Sequence, residues 1–81
     1  MKTKGYAAFL ADKSDSMLWG SGDTPEAAVA DALVWLNQDG YQGKVHTDKD
    51  IVTYPATEAA IASPPDEVEV HEGVAYSMIE L

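Results

Sequence analysis

The segment TPEAAVADALVWLNQDG, Thr24 to Gly40, constrains this chain most, because it carries both a start and a stop for one helix. Thr24 is an N-cap residue, able to accept an orphan N–H of the first turn. Pro25 suits the first helical position, where its missing N–H costs nothing. Glu26 lies at the positive end of the helix dipole, and with Asp23 it offers a capping box that starts one residue earlier. Val29, Ala32, Leu33 and Leu36 recur at i, i+3, i+4 and i+7 and predict a buried stripe. Ala28 and Trp35 flank it, and Ala27, Asp31, Val34 and Gln38 fall on the opposite side. Gly40 supplies the left-handed residue that ends a helix. A helix is therefore expected over about 24–38.

Everything around this helix reads as short. YAAFLA (Tyr6–Ala11) is an apolar strand, DKSDS (Asp12–Ser16) a polar turn, and MLWGSG, from Met17 towards Gly20, a second strand, together a hairpin. YQGK is a loop. VHTDKDIVTY has a turn at Asp48–Asp50 and strand character at Ile51–Tyr54, with Pro55 expected to stop the strand. TEAAIAS (Thr57–Ser63) predicts a short helix, capped by Thr57 and halted by Pro64-Pro65. VEVHEGVAYSMIEL closes the chain as a hairpin: Val68–Val70, a turn at Glu72-Gly73, then Val74–Leu81. The order ββα-β-α-ββ predicts an α+β fold, one domain over residues 1–81. A mainly antiparallel sheet of four to five strands would carry the long helix (about 24–38) on one face, with the second helix near 57–63. An unpaired terminal strand at Val74–Leu81 would allow a homodimer by strand addition.

Charge narrows the function classes. Fourteen Asp and Glu stand against five Lys and no Arg, for a net charge of −9. The imbalance grows along the chain, because residues 51–81 hold six acids and no Lys. Direct nucleic-acid binding is disfavoured, since it needs Lys or Arg to replace counterions at phosphates. A basic protein partner is favoured, including one that itself binds nucleic acid; charge that serves solubility alone is the plainer alternative. With no Cys, disulfides and thiolate metal sites are excluded, and a reducing cytoplasm is expected. The apolar run in MKTKGYAAFLAD is too short for a signal-peptide core, and no stretch approaches a membrane span.

Three motifs invite chemistry, and each has a structural reading beside it. Gly20-Ser21-Gly22 precedes a helix, but Pro25 stands where a dinucleotide fingerprint has its third Gly, and Asp23 would repel a phosphate. The glycines are expected to bend the chain from strand to helix. His46, Asp48 and Asp50 alternate, yet a solvated turn fits them better than a cation site. His71 belongs to a hairpin tip. Ser14, Ser16, Ser21, Ser63 and Ser77 lack a nucleophile motif to work with His46 or His71. No catalytic residue, cofactor or metal is expected. Trp19, Trp35, Tyr6, Tyr41, Tyr54, Tyr76 and Phe9 should mostly fill the core. Val34 and Trp35 are either wrapped by the sheet or left exposed beside Asp31 and Asp39, which would make a contact patch.

Residues 6–36, YAAFLADKSDSMLWGSGDTPEAAVADALVWL, resemble the partial RNase-H-like lobe of HicB-type antitoxins, with its two strands, Gly-Asp-Thr entry and E-A-A/A-L helix. That lobe's third strand has no counterpart, because the second strand runs straight into the helix entry. The whole arrangement resembles small acidic proteins of phages and prophages, carrying GDTPEAAVADAL (Gly22–Leu33), YPAT (Tyr54–Thr57) and G-V-A (Gly73–Ala75). Some such proteins are anti-CRISPR proteins. The resemblance implies a non-enzymatic inhibitor, acting in the host bacterial cytoplasm, that binds a basic nucleic-acid-binding protein or effector complex. Its contact residues would be the acids Asp31, Asp66, Glu67, Glu69 and Glu72 with Trp35 as anchor. The HicB likeness implies instead an antitoxin module that sequesters a small basic ribonuclease.

Overall fold

A computed structural model describes residues 3–13, 16–38, 40 and 43–81. The elements run β1 (Thr3–Leu10), β2 (Gly20–Gly22), α1 (Pro25–Gln38), β3 (Ile51–Thr57), α2 (Glu58–Ala62), β4 (Val68–His71) and β5 (Val74–Ser77). Single 3-10 turns occupy Asp48–Asp50, Pro65–Glu67 and Met78–Glu80. The fold is α+β: one five-stranded sheet in the order β2-β1-β3-β5-β4, antiparallel except where β3 and β5 pair in parallel at Ala56 and Ala75.

The long helix forms where its signals predict. Thr24 Oγ1 accepts the N–H of Ala27 at 3.1 Å, and Thr24 O accepts that of Ala28. Its buried stripe, however, is Ala28, Ala32 and Leu36, while Val29 and Leu33 are only half-buried. The stripe turns towards Ala28 because of what lies beneath it. A Cβ on Gly20 would stand 2.3 Å from Ala32 N and 2.7 Å from Ala28 O, and one on Gly22 2.6 Å from Ala27 Cβ. The glycines of β2 therefore let the helix backbone press directly onto the strand. They are not the bend that the sequence suggested: they form β2 itself, three residues later than Met17–Gly20. Leu18 and Trp19 lie outside the strand, although Trp19 N still donates to Ala8 O at 2.8 Å.

β3 runs through Pro55 instead of stopping at Tyr54. The bond from Ala11 N to Asp50 O sets the phase of the β1–β3 ladder, which places Pro55 opposite Tyr6 at a non-hydrogen-bonded pair. The missing N–H thus falls on the side away from β1. There β5 takes up its pairing only at Ala56. α2 follows at once, capped by Thr57, whose hydroxyl accepts Ala60 N at 3.1 Å and donates to Glu80 Oε1 at 2.6 Å. The closing hairpin turns at Glu72 (φ 54°) and Gly73 (φ 80°), the signature of a two-residue turn matched to strand twist. β5 ends at Ser77 rather than Leu81, because Ser77 and Glu80 form a capping box for the last turn. It is flanked by β3 and β4, so Val74–Ser77 is not a free edge; β4 is.

Alanine dominates the interior. Ala7, Ala8, Ala28, Ala32, Ala56, Ala60 and Ala75 are fully buried, joined by Phe9, Leu10, Leu36 and Val68. Small side chains bring backbones close and lose no rotamer freedom on burial. α1 packs on Ala8, with Tyr6, Trp19 and Ile51 beside it. The opposite face of the sheet holds Ala7, Phe9, Ala56, Val68 and Ala75 with α2. Of the aromatics expected inside, only Phe9 is buried; Tyr6, Trp19, Tyr54 and Tyr76 are half-buried and Trp35 is exposed. Tyr41 lies outside the described residues. Among the described residues, no helix is long and apolar enough to cross a membrane.

Candidate functional site

Trp35 projects from the last turns of α1 with 53 % of its surface exposed, next to Val34 at 61 %. On the helix Val34 lies opposite the stripe of Ala28, Ala32 and Leu36, whereas Trp35, seven residues from Ala28 and three from Ala32, lies at the flank of that stripe with Asp31 one turn before it. Trp35 then forms one wall of a groove of about 330 Å³ with Asp31, Met17, Leu18, Trp19 and Pro65. The bond from Leu18 N to Pro65 O, 3.1 Å, joins the segment leading into β2 to the one leading into β4. It brings the turn Pro65–Glu67 to the end of the Trp35 groove, and Asp66 and Glu67 follow on that turn, both exposed.

The predicted contact residues divide into three places. Asp31 and Trp35 share the groove, and Asp66 and Glu67 begin where Pro65 closes it. Asp31 is also a structural group, since its Oδ2 accepts Ser21 N at 3.0 Å. That bond takes up the outward N–H of the edge strand β2. Glu69 lies on β4, half-exposed and 3.4 Å from His71 Nε2. Glu72 sits at the hairpin tip. Among the described residues, Asp66, Glu67, Glu69 and Glu72 have no Lys partner; Glu69 meets His71, and the other three face solvent. Asp39, expected beside Trp35, lies outside the described residues.

Sequence reasoning did not foresee the other walls of the groove. Met17, Leu18 and Trp19 read as strand, and Pro65 as a helix stop. The apolar run MLW between a polar turn and two glycines is the one signal that could have marked them. The remaining chemical candidates have structural roles. His46 is buried at 2 % exposure, and its main chain is clamped by the Asn37 side chain: His46 N donates to Asn37 Oδ1 at 2.7 Å, and Asn37 Nδ2 to His46 O at 3.1 Å. Asp48 and Asp50 form a 3-10 turn in which Asp50 Oδ2 accepts Thr47 N. The Ser63 and Ser77 hydroxyls lie 2.7 Å apart and tie α2 to β5. Ser14 lies outside the described residues. Among the described residues, no three His, Asp or Glu side chains are grouped to hold a metal ion.

A second groove, of about 630 Å³, opens on the sheet face opposite α1. Phe9, Val52 and Tyr54 line it, Val68 and Val70 of β4 form one side, and Lys13, Ser16 and Glu69 reach its rim. Phe9 and Tyr54 meet as a tilted pair with ring centroids 5.9 Å apart. Both grooves are lined mainly by apolar side chains, with Asp31 in the first and Glu69 and Lys13 at the rim of the second, an arrangement suited to holding part of another protein. Comparison with models of known families, with curated proteins and with solved structures finds no match to this chain.

Proposed function

We propose that this chain is a non-enzymatic inhibitor that binds a basic nucleic-acid-handling protein or effector complex of a host bacterium, in the manner of an anti-CRISPR protein. One observation carries the reading: an exposed Trp35 walls an apolar groove that ends at Pro65, where the solvent-facing acids Asp66, Glu67, Glu69 and Glu72 begin. An aromatic in an apolar cleft is the usual anchor of a protein interface. Carboxylates without cationic neighbours attract a Lys/Arg-rich surface and speed its encounter. A surface that a nucleic acid would otherwise occupy is such a surface. The inhibitor acts by occupying it, and needs no cofactor and no contact with nucleic acid itself. The strand–strand–helix order of residues 3–38 supports a second reading, an antitoxin that holds a small basic ribonuclease by the same acids.

The test is binding of the purified chain to a purified host effector complex across a salt series. Affinity should fall as salt rises from about 50 to about 300 mM, because exposed charges are screened within a Debye length. The variant D66N/E67Q/E69Q/E72Q should bind about tenfold or more weakly at low salt. Affinity unmoved by salt and by neutralisation would overturn the electrostatic reading. Rescue of growth from a neighbouring basic ribonuclease, without effector binding, would select the antitoxin.

A further inference from the structure

The two edges of the sheet are not alike. On β2 the outward N–H of Ser21 is taken by Asp31. On β4 the outward groups can be identified from the hairpin. A two-residue turn makes His71 and Val74 a hydrogen-bonded pair, and the register continues unbroken to Val68 and Ser77. Glu69 and His71 therefore bond to β5, while the N–H and C=O of Val70, and those of Val68, point to the open side. No hydrogen bond to these groups occurs among the described residues. An edge with free donors and acceptors is a template for another strand.

Side chains fix what kind of strand fits. Val68 and Val70 share the groove face with Phe9, Val52 and Tyr54. Glu69 alternates with them, so its side chain leads away from the groove floor even though the residue borders the rim. A residue added opposite Val70 would lie over the apolar groove, and its neighbours along the chain would stand beside Glu69. Glu72 lies at the tip and Asp66 and Glu67 precede the strand, so that among the described residues of this face Lys13 at the groove rim is outnumbered by four acids. We infer that β4 accepts, by strand addition, an extended segment of a partner protein with apolar residues on one face and Lys or Arg on the other. This rests on the reading of a basic protein partner and names the element that would hold it. A second copy of the chain is the less suitable occupant, because each copy carries a net charge of −9 and like charges repel.

The probe is a peptide of about six residues alternating Val and Lys, enough to span the edge, added to the full chain labelled with nitrogen-15. Controls are a peptide of the same composition with Val and Lys in separate blocks, and one alternating Val and Glu. The alternating Val–Lys peptide should slow hydrogen exchange at the Val70 amide about tenfold or more, with Val68 following. The block and Val–Glu peptides should not. Glu69→Lys, at an exposed position, should reverse the preference in favour of the Val–Glu peptide. Equal protection by the block peptide, protection confined to amides outside β4, or protection of Val70 by self-association in sedimentation velocity would each overturn the inference. The two proposals separate cleanly. An effector complex bound with the expected salt dependence, with Val70 left unprotected by the peptide, removes strand addition and leaves the inhibitor standing. Val70 protected, with no effector binding, does the reverse.

Discussion

Gly20→Ala tests how α1 is seated. The added Cβ would stand 2.3 Å from Ala32 N, 2.7 Å from Ala28 O and 2.8 Å from Ala32 Cα, all of them backbone atoms of one helix. An ordinary contact begins at 3.4 Å, so strand and helix would have to separate by about 1 Å. No flexible side chain can absorb that shift, because the neighbours are main chain. Overpacking costs about 1–3 kcal/mol, and a collision with backbone belongs at the upper end, about 3 kcal/mol. A domain of this size has about 4–12 kcal/mol in total. Tm should fall by about 12–24 °C. Urea unfolding followed by far-UV circular dichroism would give the change in midpoint with the slope unchanged. Gly40→Ala is the control. Nothing lies within 4 Å of its Cβ position, and only the positive φ of 62° is at stake, about 1–2 kcal/mol. If Gly20→Ala is within about 0.5 kcal/mol of the parent, the helix does not lie on β2 as described.

Other outcomes follow from single contacts. Thr24→Ala should cost about 1 kcal/mol of stability in urea unfolding, for the loss of the cap on Ala27 N. Thr57→Val removes both the cap on Ala60 N and the bond to Glu80, in a buried position, and should cost about 2–3 kcal/mol. Asp31→Ala should destabilise by about 1 kcal/mol while Asp31→Asn, which keeps an acceptor for Ser21 N, should be nearly neutral in the same assay. Trp35→Ala should change stability by no more than about 1 kcal/mol yet weaken effector binding about tenfold by interferometry.

α1 was legible because its signals are local. Thr24, Pro25 and Glu26 act within one turn, and the apolar period runs unbroken to Leu36. The same holds for Thr57 ahead of α2 and for Glu72-Gly73 in the last hairpin, where backbone preference alone decides. The face of α1 was harder to read. Leu33 and Val29 look better suited to a core than Ala28, and only the missing Cβ atoms of Gly20 and Gly22, in another element, make the smaller residue the closest one. Pro55 misled for a similar reason. Whether a proline breaks a strand depends on which side its nitrogen faces, and that is set by the phase of the ladder with β1 and by where β5 starts. Trp35 was recognisable as a candidate anchor from its place at the flank of the apolar stripe, but how far it is covered depends on what other elements pack beside the helix, which no helical period records. The groove beside it joins Met17–Trp19, which lead into the edge strand β2, to Pro65, which precedes the edge strand β4, and no local pattern records such a contact. The acids were visible from composition, since charge without nearby cations stays at the surface in almost any fold.

The proposed basic nucleic-acid-handling partner would bind through the acids that run from Asp66 to Glu72. The most direct measurement is competition: the host effector complex, loaded with labelled nucleic acid, titrated with the chain and with D66N/E67Q/E69Q/E72Q at low and moderate salt. The parent chain should displace the nucleic acid at low salt, displacement should weaken as salt rises, and the neutralised variant should need about tenfold more protein. Displacement by both proteins alike, or none by either while nucleic acid and chain bind separately, would contradict that mode of binding.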